Sequence, residues 1–91
     1  MDQQAELKRR NYHLLQEIGK NITYYRKQLG LTQELLAEKI DISRVHLARV
    51  ETGMCAASLP LLFSISVVLD IPLKELFDFE AGTADMYDVE G

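Results

Sequence analysis

The stretch LTQELLAEKIDISRVHLARVETG, Leu31 to Gly53, limits how this chain can fold more than any other part of it. Two hydroxyl residues, Thr32 and Ser43, stand where they can accept hydrogen bonds from the free amides that open a helix. Each is followed by a short segment whose apolar residues recur at helical spacing. The first segment, Gln33 to Ile40, would turn Leu36, Ala37 and Ile40 inward. The second, Arg44 to Thr52, would turn Leu47 and Val50 inward and end at Gly53. Only Asp41, Ile42 and Ser43 separate the two, so the helices must cross closely. The small side chain of Ala37 permits that approach, and Ile42 fills the corner. With its underside held against a core, the second helix leaves Arg44, Val45, Ala48 and Arg49 facing outward. A rigid scaffold would thus present one helix face to a groove.

The flanking residues supply the rest of an all-α fold. Leu7, Leu14, Leu15, Ile18, Ile22, Tyr25 and Leu29 recur at spacings of an amphipathic helix from about Gln4 to Leu29, which Gly30 stops. Ser58 caps a fourth helix, with Pro60 harmless in its first turn and Leu62, Phe63, Ile65, Val68 and Leu69 on its apolar face. Pro72 opens a short fifth helix through Phe77. No segment alternates with period two for long enough to suggest a strand. From Asp78 on, DFEAGTADMYDVEG is acidic, glycine-punctuated and aperiodic, the pattern of a flexible tail. The organisation expected is an N-terminal extension of the first helix at 1–17, a five-helix domain at 18–77 with its tight helix pair at 33–52, and an acidic tail at 78–91.

Composition narrows the function classes. A chain of 91 residues is one small domain. Its longest nearly apolar stretch, Leu59 to Leu69, is interrupted by Pro60, Ser64 and Ser66 and falls short of the ~18 residues that cross a bilayer, so no membrane span is expected. The N-terminal MDQQAELKRR lacks the apolar run that drives secretion, which points to the cytoplasm. A single cysteine, Cys55, permits neither an intrachain disulfide nor a cysteine-based zinc cluster. Ten Lys+Arg against 14 Asp+Glu give a formal charge of −4, which taken alone argues against a nucleic-acid partner. The total hides an asymmetry. Met1 to Met54 holds nine basic and seven acidic residues, for +2, whereas Cys55 to Gly91 holds one basic and seven acidic, for −6. An anionic partner must therefore bind the N-terminal half.

The pieces IGKNITYYRKQLGLTQELLAEKI, ISRVHLARVETG and SLPLLFSISVVLDIPLKELF together make the chain, from Ile18 to Phe77, resemble the helix-turn-helix regulators of bacteria and phages typified by the lambda and 434 Cro and cI repressors. The resemblance implies a five-helix lambda-repressor-like fold that binds double-stranded DNA as a homodimer. It places Arg44, Val45, Ala48 and Arg49 where family members read base edges, arginine by two parallel bonds to a guanine and Val45 against a thymine methyl. It places Gln33 on a phosphate at the start of the second helix, and Ser43, His46, Thr52 and Met54 where backbone contacts are common. Arg26 and Glu51 match the family's arginine–glutamate pair between the first and third helices. Leu61, Val67, Pro72, Leu73, Leu76 and Phe77 fall in the region through which the family dimerises. Three departures stand out: Asp41 replaces a turn glycine, the segment MCAA after Gly53 replaces a basic loop, and Leu35, Leu61 and Val67 are apolar where relatives are commonly polar.

Other readings weigh against these. An exposed arginine is by default a solvated surface residue, and His46, with His13 remote in sequence and no acidic residues at ligand spacing, gives no metal site. No cofactor is implied. Leu61 and Val67 would be core if the long first helix covers the fourth more deeply. Lys8, Arg9 and Arg10 read as a charged helix start in preference to an arm that touches DNA, and Phe79, Met86 and Tyr87 amid acid read as a flexible tail in preference to a protein-docking segment or a dimer-swapping strand. No nucleophile, base and acid cluster, so an enzyme is not expected. Two functions remain: a DNA-binding transcriptional regulator, expected to repress at a palindromic operator, and an antitoxin-like or adaptor protein that binds a partner through its apolar surface or acidic tail.

Overall fold

A computed structural model of the chain describes residues 2–79. Four α-helices follow one another: α1 (Gln3–Gln28), α2 (Gln33–Lys39), α3 (Arg44–Glu51) and α4 (Leu59–Leu69). A 3₁₀ helix (Leu73–Phe77) comes after them, and the described residues contain no strand.

Each α-helix starts on a side-chain cap. Asp2 Oδ1 accepts from the Gln4 amide at 3.0 Å, Thr32 Oγ1 from Leu35 at 3.1 Å, Ser43 Oγ from His46 at 3.0 Å and Ser58 Oγ from Leu61 at 3.2 Å. Each also ends the same way, on one left-handed residue whose successor donates back to a carbonyl five positions earlier. The left-handed residues are Gly30, Asp41, Gly53 and Asp70. The closing bonds are Leu31 to Arg26 (3.1 Å), Ile42 to Ala37 (3.0 Å), Met54 to Arg49 (2.8 Å) and Ile71 to Ser66 (3.0 Å). Repetition of this stop packs four helices and three tight connections into one short run of chain.

The core takes Ile18 and Ile22 from α1, Leu36 and Ala37 from α2, Leu47 and Val50 from α3, Leu62, Ile65 and Leu69 from α4, and Leu76 from the 3₁₀ helix. Three residues expected on apolar faces are exposed instead. Leu7 is 58% exposed because the first turns of α1 run past the packed body, and Leu29 is exposed at the helix end. Phe63 is 59% exposed because Leu62, Ile65 and Leu69 already fill the inward stripe of α4.

The expected fifth α-helix is a 3₁₀ helix of five residues. Pro72 fixes its extended entry, the Glu75 amide bonds Pro72 O at 3.0 Å, and Asp78 returns to extended backbone, which leaves no room for an α-turn ladder. Its carbonyls are met from α1 instead: Asn21 Nδ2 donates to Leu76 O at 3.0 Å and to Asp78 O at 3.2 Å. Tyr25 Oη donates to Glu75 Oε2 at 3.3 Å on the same seam, where burial and then the Glu75 charge push the phenol up. The tail expected to be flexible, 78–91, lies outside the described residues from Glu80 onward.

Candidate nucleic-acid interface

The site is built on α3, and α3 is positioned from behind by α1. Gly19 faces the end of α3 so closely that a Cβ there would collide with the Glu51 carbonyl oxygen and lie 2.7 Å from Val50 O. Close approach brings the Glu51 carboxylate, buried with its residue only 6% exposed, against α1. Arg26 Nε donates to Glu51 Oε2 at 2.7 Å and Arg26 Nη2 to Oε1 at 3.1 Å, a two-point pairing of a planar fork with a carboxylate. The remaining Arg26 nitrogen, Nη1, donates to Leu31 O at 2.8 Å. Thr23 Oγ1 adds a bond to Glu51 Oε1 at 3.0 Å. A buried pair of this kind is costly to desolvate and holds only because its remaining donors and acceptors are met.

From Glu51 the network continues to the surface. Gln33 Nε2, at the first turn of α2, donates to Glu51 Oε1 at 2.9 Å, and Gln33 Oε1 accepts from Arg44 Nη1 at 3.3 Å. One hydrogen-bonded line thus runs from α1 through the end of α3 to the start of α3, with α2 as the bridge. Arg44 retains further N–H groups beyond the one engaged with Gln33.

The outward face of α3 carries Arg44, Val45, His46 and Arg49, all exposed, with Ala48 half-buried between them. Glu51, the one carboxylate of α3, points inward and is neutralised by Arg26. Among the described residues no carboxylate forms an ion pair with Arg44 or Arg49. Ser43 serves as the α3 cap, and Thr52 Oγ1 donates to Ala48 O at 2.9 Å. Met54 is exposed at the far end of α3. Gln33 is half-buried at the opposite end of the same surface.

The residues singled out for dimerisation divide. Val67, Pro72 and Phe77 are exposed, and Leu61 and Leu73 half-buried. Leu76 does not belong with them, because it is fully buried in the core of its own chain. Leu59 and Phe63, exposed two turns and one turn before Val67, extend the stripe along α4 and escaped sequence reasoning. Gly19 and Thr23 escaped it too. A glycine inside a long helix pattern was the available signal for Gly19, since its helix cost requires a packing reason. Among the described residues there is no group of His, Cys, Asp and Glu able to hold a metal ion, and no helix long and apolar enough to cross a membrane.

Two capped helices joined through a left-handed turn, the second held rigidly with arginines outward, define a helix-turn-helix DNA-binding domain of the transcriptional-regulator type. The Helix-turn-helix family model matches residues 22–76, and the chain belongs to this XRE-type family. It is similar to an HTH-type transcriptional regulator of Methanocaldococcus jannaschii, 36% identical over 59 residues that cover 65% of this chain and 89% of that one. It is 36% identical over 64 residues to the regulator SlrR of Bacillus subtilis, covering 69% of this chain and 42% of SlrR. Among solved structures it matches the restriction-modification controller protein C.AhdI from Aeromonas hydrophila with a TM-score of 0.67 and 33% identity, over 69% of this chain and 96% of that one. A helix-turn-helix transcriptional regulator from Vibrio cholerae shares the fold with a TM-score of 0.68 at 21% identity, over 74% of this chain and 38% of that one.

Proposed function

We propose that the protein is a sequence-specific regulator that binds a palindromic operator as a homodimer and represses by occupying it. The observation that carries this reading is the outward face of α3, where two arginines without carboxylate partners stand on a helix fixed from behind by the Arg26–Glu51 pair. In each half-site α3 lies in the major groove. Arg44 and Arg49 donate to guanine O6 and N7, Val45 meets a thymine methyl, and Ala48 lets the helix approach. Gln33, Ser43, His46, Thr52 and Met54 line the flanks of that face, where phosphates pass and set the register. The exposed stripe of Leu59, Phe63 and Val67, continued by Pro72 and Phe77, supports a two-fold contact between protomers. Likeness to a restriction-modification controller protein supports regulation rather than catalysis as the output.

The apolar stripe also favours a second reading, in which an antitoxin-like or adaptor role through protein contact is the main one. Binding to DNA separates them. Against a preferred duplex, Arg44→Ala and Arg49→Ala should each lose about 1 to 3 kcal/mol and relax selectivity at one base pair, with far less effect on a random duplex. Fluorescence anisotropy at fixed salt reads this. Parent-like binding of both variants to both duplexes removes α3 as the reading helix, and no binding to any duplex at low salt makes the partner-protein reading the leading one.

A further inference from the structure

The whole net charge of the chain resides in its last twelve residues. Residues 1–79 contain ten basic and ten acidic side chains, and Glu80–Gly91 contains Glu80, Asp85, Asp88 and Glu90 with no cation, which gives the formal −4. We propose that this acidic segment docks on the exposed face of α3 of its own chain and competes there with DNA. The inference rests on α3 being the DNA-binding face.

Three observations select that occupant and that surface. First, the segment begins on α1, the helix that carries α3. Asn21 of α1 holds Asp78 O at 3.2 Å and Phe79 packs against the core, while Gly19 and Thr23 of the same helix touch the end of α3. Asn21 lies on the opposite face of α1 from Gly19 and Thr23, so the origin of the segment is separated from α3 by at least the width of α1, ~10 Å. Second, the length suffices. Twelve residues reach up to about 40 Å when extended, against short dimensions of 23 and 19 Å for the folded body. Third, the charges match. On α1 every arginine and Lys20 are engaged: Arg9 and Arg10 meet Glu6 at 2.6 and 3.4 Å, Lys20 meets Glu17 at 2.9 Å, and Arg26 meets Glu51, while the lysines Lys8 and Lys27 form no ion pair among the described residues. The Arg9 guanidinium holds the Glu6 carboxyl below the usual range. Arg44 and Arg49 have no such neighbour among the described residues, and an arginine fork fits a carboxylate better than the hydrated point charge of a lysine does. Val45 and Met54, both exposed, offer Met86, Tyr87 and Val89 apolar surface beside those arginines.

A tethered anion at millimolar effective concentration acts most strongly on binding that is purely electrostatic. Random DNA is displaced more than an operator that also makes base contacts, so the segment raises selectivity while lowering affinity.

The test uses the full chain. In the variant Glu80→Gln, Asp85→Asn, Asp88→Asn, Glu90→Gln, affinity for a random duplex at low salt should rise about fivefold or more, and the gain should vanish near 1 M salt, where screening acts within ~3 Å. In DNA-free protein carrying Cys55→Ser and a spin label on Gly91→Cys, amide signals of residues 44–49 should broaden, and the neutralising substitutions should abolish the broadening. If broadening is absent from α3, or affinity for random DNA is unchanged, the proposal is wrong even where the parent binds DNA. If α3 broadens but no form of the protein binds DNA, the reading of α3 as a DNA face fails and the competition falls with it.

Discussion

At the scale of the residue, two glycines with opposite problems decide how α3 is carried. Gly30 has φ +70 with open space around it, whereas Gly19 has ordinary helical backbone and no space, a Cβ there falling 2.6 Å from the Glu51 carbonyl carbon. Gly30→Ala should cost about 1 kcal/mol, the left-handed penalty. Gly19→Ala should cost about 3 kcal/mol or more, because backbone cannot yield as a side chain can and α1 must move off α3. Urea unfolding of the two variants checks the order, and equal losses would show that the α1–α3 contact is looser than described. Sequence legibility follows the same division. Gly30 was readable as a helix stop because the requirement is local, while the role of Gly19 depends on a residue 32 positions away in the chain. Asp41 and Asp70 make the point again. Asp41, with φ 60, stands in a motif that flags it, whereas Asp70, with φ 57, had no such motif to mark its turn.

At the scale of the element, caps and apolar spacing located all four α-helices to within a residue or so, since both signals lie within the helix itself. The short helix expected after Pro72 takes the 3₁₀ form, which is set by Asn21 on α1, since Asn21 takes up the carbonyls another turn would have used. Faces were legible where a helix meets the core along its whole length, as in α3. They were not at Leu7 or Phe63, where the helical spacing continues but the partner surface does not. The Arg26–Glu51 pair belongs to this scale because it joins two elements. Glu51→Gln leaves the Arg26 guanidinium buried without its counter-charge and should cost about 3 to 5 kcal/mol, whereas replacing both by apolar residues of similar volume, Arg26→Met with Glu51→Leu, should recover most of that stability. Unfolding free energies of the two singles and the double give the coupling. A single-variant loss below 1 kcal/mol would mean that the pair is effectively solvated. If the double variant folds but loses selectivity between duplexes, orientation of α3 is the function that the pair serves.

At the scale of the whole molecule, the sign of the net charge misdirects and its distribution instructs. A formal −4 argues against DNA, yet residues 1–79 are neutral in sum and the cations without carboxylate partners include both arginines of the α3 face. A regulator so charged has little long-range attraction for DNA, and the proposed function has it rely on base contacts and on pairing of protomers. Both are expressed in the symmetry of the sequence it prefers. Selection of bound duplexes from a random pool by the full chain measures that symmetry directly. The account predicts enrichment of a two-fold symmetric site whose half-sites are centred about 10 base pairs apart, or a multiple of that, with guanine preferences that disappear for Arg44→Ala and Arg49→Ala. Recovery of no enriched site, or of a site whose preferences survive both substitutions, would contradict it.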